Sequence, residues 1–172
     1  MKGQEPPLEM LHACHSRIER QCAALQGPVA HLATHGAGSD ARSAAASLMR
    51  FFDAEVRDHH ADEEQDLFPA LIESMAGSDA VCLREFTAGL AAEHRELAAR
   101  WRIVRAALER VVTGDSVALE GAGVQMLVDL YRRHIEREES ELLPMAARLL
   151  SDGDLERIGR AMRERRGVAA QG

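Results

Sequence analysis

Two short segments of the chain repeat the same spacing of histidine and glutamate. His59 and Glu63 are four residues apart, and the same pair recurs 75 positions later as His134 and Glu138. Side chains four apart on an α-helix lie one above the other on a single face, so each pair would point in one direction. Imidazole and carboxylate groups presented together are suited to binding a metal ion. These two pairs are therefore the first candidates for chemistry.

The match between the two segments, residues 59–69 and 134–144, extends beyond these pairs. Five of the eleven positions are identical: the histidine, two consecutive glutamates, a leucine and a proline. A repeat that served packing alone would keep apolar positions, whereas this one keeps mostly polar residues. We interpret it as an internal duplication of a helix pair, covering about residues 7–76 and 79–150.

His60 and Glu64 are also four residues apart, so this pair is an alternative to His59 and Glu63 as the pair that faces the site. The repeat favours His59 over its neighbour, since His60 aligns with Ile135 while His59 aligns with a histidine. Adjacent helical side chains point about 100° apart. We therefore predict that His60 and Glu64 point away from the site.

Two further histidines lie in apolar stripes with helical spacing. His15 lies in a stripe with Leu11 and Ile18, and His94 lies in a stripe with Leu90 and Leu97. One such histidine is more often a satisfied core residue than a ligand, but four facing one another favour a metal site. Imidazole with carboxylate suits iron or manganese, and zinc less distinctively. The candidate metal ligands are His15, His59, Glu63, His94, His134 and Glu138.

Several other polar residues have weaker claims to the site. His12 and Glu19 flank His15 by about one turn, and we interpret them as solvent-facing, although they are within reach of its outer side. His31 and His35 are interpreted as surface groups. Tyr131, one turn before His134, is interpreted as a core residue.

The three cysteines form no pair with the Cys-x-x-Cys spacing of a metal or redox motif. Their odd number suits a compartment in which thiols stay reduced. We predict that Cys14, Cys22 and Cys82 act as small buried apolar residues.

The elements that position these residues are predicted to be helices, since only 3% of the residues are aromatic and β-branched runs are scarce. Breaks with glycine and capping residues occur near 36–38, 77–79, 114–116 and 151–154. The predicted helices cover residues 7–35, 39–76, 79–113 and 116–150, with a short helix at 154–166. We expect Gly27-Pro28 to break the first helix. We expect Gly121 and Gly123 to delay the start of the fourth helix. Short connections predict an all-α fold, an up-down-up-down antiparallel four-helix bundle with a short C-terminal helix.

Composition narrows the range of partners. The 172 residues are 46% hydrophobic and 28% charged, which predicts one folded domain over residues 7–166. The net charge of −7 disfavours nucleic acid and anionic membranes as partners. We interpret the basic cluster at 160–166 as a solvated helix end. No apolar run has the length of a signal or spanning segment, so we expect a cytoplasmic protein.

The ordered set His, His-x-x-x-Glu, His, His-x-x-x-Glu resembles the hemerythrin-like family, also called the HHE cation-binding domain. The resemblance covers nearly the whole chain and implies a non-haem di-iron centre in a helical bundle. It implies that the four histidines are terminal ligands and that Glu63 and Glu138 bridge two iron ions. Oxygen-carrying hemerythrins have a further histidine four residues after the first one on the third helix, where this chain has Ala98.

The expected function is a di-iron protein that binds or reacts with a small diatomic molecule or peroxide, such as oxygen or nitric oxide. The four-histidine set is similar to that of bacterial family members associated with oxidative and nitrosative stress and with repair of iron centres. The N-terminal cysteine-bearing extension of those proteins is absent here. Metal storage, metal delivery or a purely structural metal is the alternative. A ferritin-type oxidase is disfavoured, because Glu-x-x-His spacing occurs only at Glu9 and His12.

Overall fold

A computed structural model describes residues 5–35 and 38–168. These residues are helical or lie in turns, with no β-strand among them. The α-helices are α1 (Pro7–Gln26), α2 (Pro28–His35), α3 (Ser39–Arg50), α4 (Arg57–Ala61), α5 (Phe68–Glu73), α6 (Gly77–Val112), α7 (Val124–Arg137), α8 (Leu143–Leu149) and α9 (Asp152–Arg165). The predicted all-α fold is confirmed.

The helices form four arms of a bundle and one tail helix. The first arm comprises α1 and α2, the second runs through α3 to α5, the third is α6, and the fourth comprises α7 and α8. Helix α2 packs against α3, α3 against α6, and α6 against α7, so arms joined by short connections are neighbours. Helix α1 packs against α7, which places the first arm beside the fourth. The tail helix α9 packs against α1 and the second arm.

Both expected irregularities are present. Pro28 has no amide hydrogen to donate, and the first arm is interrupted at Gly27 between α1 and α2. Gly123 has a left-handed φ of 79°, and α7 begins only after it, at Val124. The predicted break at 36–38 lies partly outside the described residues.

The second and fourth arms contain π-helical stretches that the helical pattern did not predict. They cover Phe51–Val56, Asp62–Leu67 and Glu138–Leu142. The last two end just before the repeated prolines Pro69 and Pro144. A proline removes the bond to the carbonyl four residues earlier and crowds it, so the preceding turn widens into i→i+5 hydrogen bonding. Glu63 and Glu138 both lie in these widened turns.

The apolar core is divided into two clusters. Leu11 and Leu90 belong to the smaller one, and Ile18 and Leu97 belong to the larger one. His15 and His94 lie between these pairs along α1 and α6, so a polar layer separates the two clusters. The core therefore encloses the site from both ends of the bundle.

Two predictions about individual residues are wrong. Cys14 and Cys22 are buried as predicted, but Cys82 is exposed, because it lies on the outer face of the first turns of α6. The basic cluster is not fully solvated, since Arg165 and Arg166 both bind Asp62, which has no exposed surface. A buried carboxylate needs such partners, because desolvation otherwise disfavours its charge.

Four other interpretations of single residues agree with the structure. His31 and His35 are exposed, and Glu19 is exposed as well. Tyr131 is buried, with its ring 5.7 Å from that of Phe52. Among residues 5–35 and 38–168, no helix combines the length and the apolar character that crossing a bilayer requires.

Candidate metal centre

All six predicted ligands converge in the polar layer between the two core clusters. The first, second, third and fourth arms all contribute, and each of these side chains is 3% exposed or less. His15 lies on α1, His59 on α4, His94 on α6 and His134 on α7, with Glu63 and Glu138 in the π-helical turns. The predicted residues are therefore brought together, while their binding of metal stays a prediction.

The donor atoms form two overlapping groups of four. The group that we name the first position contains His15 and His59, and the second position contains His94 and His134. Both positions share Glu63 and Glu138. Within each group the donor atoms lie no more than 4.8 Å from one another.

Glu138 presents one carboxylate oxygen to each position. Its Oε2 lies 2.9 Å from Nε2 of His15 in the first position. Its Oε1 lies 3.0 Å from Nε2 of His134 and 3.6 Å from Nε2 of His94, both in the second position. A carboxylate divided in this way can bind two cations at once.

Glu63 is divided between the positions in the same manner. Its Oε1 lies 3.4 Å from Nε2 of His59 and 4.0 Å from Nε2 of His15. Its Oε2 lies 3.1 Å from Nε2 of His94. The two carboxylates therefore face both positions, as bridging ligands would, and the histidines face only one each.

Three of the four histidines are oriented by a carboxylate on their outer side. Nδ1 of His15 donates to Glu139 at 2.5 Å, and Nδ1 of His94 donates to Glu64 at 2.6 Å. These glutamates are the second members of the repeated Glu-Glu pairs. A carboxylate at Nδ1 fixes the orientation of the ring, with Nε2 turned toward the centre. Glu64 is in neither donor group, but its contact with His94 shows that it does not point away from the site as predicted.

The third outer carboxylate comes from the third arm. Nδ1 of His134 donates to Glu93 at 2.7 Å, and Glu93 also accepts from Arg137 at 2.6 Å. Sequence reasoning missed all three outer glutamates. The repeat was a signal for two of them, since Glu64 and Glu139 occupy matching positions in it. Glu93 gave no such signal, because the residue before His15 in the first arm is Cys14 and not a glutamate.

His59 lacks such support. Its Nδ1 is buried and has no hydrogen-bond partner among the described residues. Burial, aided by the neighbouring His15, lowers the pKa of His59 well below its usual value. His59 is therefore a neutral imidazole, the form that binds a cation, but its ring is held by packing alone.

The prediction that His60 points away from the site is wrong. Helix α4 lies between two arms, so its adjacent histidines contact different neighbours. The ring centroids of His59 and His15 are 4.8 Å apart. Those of His60 and His94 are 3.9 Å apart, and these two rings are nearly parallel. A ring nitrogen of His60 lies within 4.8 Å of ring nitrogens of both His94 and His134. His12 is exposed, as interpreted, and its Nδ1 donates to Glu139 at 2.9 Å on the outer side of His15.

The close charges shift pKa values in opposite directions. Burial would lower the pKa of His15 and of His94, but the glutamates outweigh it and raise these values to about 9 and about 10. Burial and the charge of Glu138 raise the pKa of Glu63 to about 7. Burial opposes ionisation of Glu138 as well, yet close contacts with His134, His15 and His94 hold its pKa well below the usual range. A binding cation must displace the histidine protons, because imidazole binds metals in its deprotonated form.

The donors fit a cation better than they fit one another. Both carboxylate oxygens of Glu63 and of Glu138 are buried without a hydrogen bond of good geometry, and so is Nε2 of His15. Buried unpaired carboxylates cost several kcal/mol, which a bound cation would remove. Nitrogen and oxygen donors without thiolates suit iron or manganese.

Two clefts in the surface of the bundle differ in whether site histidines line them. A cleft of about 410 Å³ is lined by Ala98, His60 and His94, and we name it the Ala98 cleft. A smaller cavity of about 230 Å³ is lined by Glu19 and Cys22 and includes none of the site histidines. The second position therefore borders the Ala98 cleft through His94, whereas the smaller cavity borders neither position through a histidine.

The fold and the site define a helical bundle with a buried histidine and glutamate centre. Residues 7–146 match the hemerythrin HHE cation-binding domain family, and the chain belongs to that family. An uncharacterized protein of Haemophilus influenzae is 30% identical over 162 residues, which cover 94% of this chain and 91% of that protein. The predicted resemblance is confirmed.

Proposed function

We propose that this chain is a non-haem di-iron protein whose centre binds or reacts with a small diatomic molecule or peroxide. The observation that carries the proposal is the division of Glu63 and Glu138 between two positions. A centre for a single cation would need only one group of four donors. Two groups that share both carboxylates are suited to two neighbouring ions.

The residues of this chain would hold two iron ions by terminal histidines and shared glutamates. Iron in such a centre supplies coordination sites for small molecules and access to two oxidation states. The chain supplies the orientation of each imidazole through Glu64, Glu93 and Glu139. The two core clusters exclude bulk water above and below the site.

The Ala98 cleft favours a reactive or sensing centre over metal storage or a structural metal. A structural metal site is closed by protein ligands, whereas a reactive one keeps an open position. Four terminal histidines and two bridging glutamates give four protein ligands to each ion, fewer than iron commonly accepts, and the cleft reaches His94. We further propose a role in the cytoplasm, in response to oxidative or nitrosative stress, in sensing, or in repair of iron centres. The three free cysteines are consistent with a reducing compartment.

The proposal is tested by loading the metal-free protein anaerobically with ferrous iron. We expect about two irons per chain, as two ligand groups require, and a change in the absorption spectrum when nitric oxide is added. His31→Ala is the control, because this exposed histidine lies far from the site in the sequence and has no part in it. Retention of iron with no response to nitric oxide or air would instead support storage or a structural role.

A further inference from the structure

The surroundings of the two positions differ at two matching places. Four residues after the site histidine, the third arm has Ala98 where the first arm has Glu19. Directly after the site histidine, the second arm has His60 where the fourth arm has Ile135. Ala98 and His60 both line the larger cleft, whereas Glu19 and Ile135 both line the smaller cavity. The Ala98 cleft is therefore found where the third arm has a small residue and the second arm has a second histidine.

We propose that small molecules reach this centre from one side only, through the Ala98 cleft to the second position, and that His60 contacts them there. This inference rests on the proposed function and adds to it the route, the receiving position and a contacting residue.

The shape and lining of the cleft suit small, weakly polar molecules. Its volume of about 410 Å³ leaves room for a diatomic molecule. Phe52, Val56 and Trp101 line it with apolar surface. Its inner end is formed by His94, whose Nε2 faces Glu63 at 3.1 Å within the second position.

The orientation of His60 argues for contact with the incoming molecule rather than for metal binding. An imidazole binds a metal along a lone pair in its own ring plane. The rings of His60 and His94 are inclined by only 12° with centroids 3.9 Å apart, so His60 presents its ring face, and not its ring edge, to His94. Nε2 of His60 is nevertheless buried and has no partner in the described part of the chain. That nitrogen is available to hydrogen-bond a molecule at the inner end of the cleft.

The route is tested by filling the cleft with Ala98→Phe and, as a milder change, Ala98→Leu. The matched control is Ala23→Phe, since Ala23 is an exposed helical alanine that lines the smaller cavity. Nitric oxide association with the ferrous protein, followed by stopped-flow absorption, should slow about tenfold in Ala98→Phe and not in the control. Iron content should match the parent in all three. Equal rates in Ala98→Phe and Ala23→Phe would overturn the route.

The role of His60 is tested with His60→Ala and His60→Gln. We expect unchanged iron content in both, faster nitric oxide release and a shifted N–O stretching frequency in His60→Ala, and partial restoration in His60→Gln, which keeps an amide donor. Loss of about one iron per chain in His60→Ala would show that His60 is a ligand and overturn its assignment. Unchanged release and frequency would also overturn it.

A readout without metal separates this inference from the proposed function. Diethyl pyrocarbonate modifies accessible imidazoles, and mass spectrometry can compare His60 with the exposed His31 in the metal-free protein. Ala98→Phe should slow modification of His60 severalfold and leave His31 unchanged. If this holds while the parent binds no iron, the route stands and the proposed function fails. If iron and nitric oxide bind but Ala98→Phe protects nothing, the function stands and the route fails.

Discussion

The first and second positions have the same ligand types but different surroundings. In the second position both histidines donate from Nδ1 to a carboxylate, His94 to Glu64 and His134 to Glu93. In the first position His15 has such a partner, whereas Nδ1 of His59 has none among the described residues. Outer partners of this kind fix the ligand ring and raise its basicity. The second position is therefore the better held of the two.

The same position also borders the Ala98 cleft, whereas the smaller cavity across the bundle is lined by none of the site histidines. Tight holding and access are thus combined at one position rather than divided between two. A repeated ligand motif therefore does not by itself give two positions the same surroundings. The residues next to the motif, which the repeat does not keep, determine how each position behaves.

The largest effect is expected from removing either of the two glutamates that both positions share. Glu63→Ala or Glu138→Ala should abolish binding at both positions, because each carboxylate presents an oxygen to both. His59→Ala and His134→Ala should each remove about one metal per chain. Elemental analysis of purified variants measures this. Equal single losses in all four variants would rule out shared carboxylates.

The next largest effect concerns the residues that precede the two shared glutamates. Asp62 is fully buried against Arg165 and Arg166, whereas Arg137 is partly exposed and pairs with Glu93. Asp62→Ala should lower the free energy of unfolding by about 2–3 kcal/mol, at the low end for a broken buried ion pair because the freed arginines can reach water. Arg137→Ala should cost less than about 1 kcal/mol as a more exposed pair. Urea unfolding of the metal-free proteins compares them, and equal midpoints would contradict the difference.

A smaller change should make the second position resemble the first. Glu93→Gln removes the charged acceptor behind His134, as His59 already lacks one. We expect the metal affinity of the second position to fall by about tenfold, the lower range for outer-partner variants. Competition with a chromogenic chelator measures it. Glu96→Gln, at an exposed site on the same helix, is the control. An unchanged affinity would show that the outer carboxylates do not distinguish the positions.

The smallest difference is expected between the two repeated outer glutamates. Glu64 and Glu139 support His94 and His15 at nearly equal distances, 2.6 Å and 2.5 Å. Glu64→Gln and Glu139→Gln should therefore weaken one position each by similar factors, in a chelator competition assay. Glu139 also accepts from His12, an exposed contact that should add little. A much larger effect at Glu139 would show that His12 matters to the centre.

Much of the fold followed from helical spacing and glycine breaks. The break at Gly27, the late start after Gly123 and the tail helix all depend on local properties of proline, glycine and capping residues. The π-helical turns were not predicted, because three- and four-residue spacing does not distinguish them from α-helix. The repeated prolines after them were the available signal. The interpretation of the repeat as an internal duplication stays a prediction.

The convergence of the six candidate ligands was predictable because the motif recurs and its partners lie on apolar stripes. The roles of Glu93 and His60 were not, since both depend on which neighbouring arm a side chain faces. His60 shows this most clearly: its position on α4 turns it toward His94, and helical spacing on one arm alone cannot reveal that contact. Contacts between arms are set by tertiary packing, which a single sequence pattern does not encode.

The shared use of Glu138 also sets the moment in synthesis at which the centre can first exist. A chain grows from its N-terminus, and the three earlier arms carry four of the six donors: His15, His59, Glu63 and His94. Until the fourth arm emerges, neither position is complete, because both await an oxygen of Glu138. A stalled or prematurely ended chain therefore carries neither donor group complete, and the proposed metal centre cannot form before the fourth arm packs into the bundle.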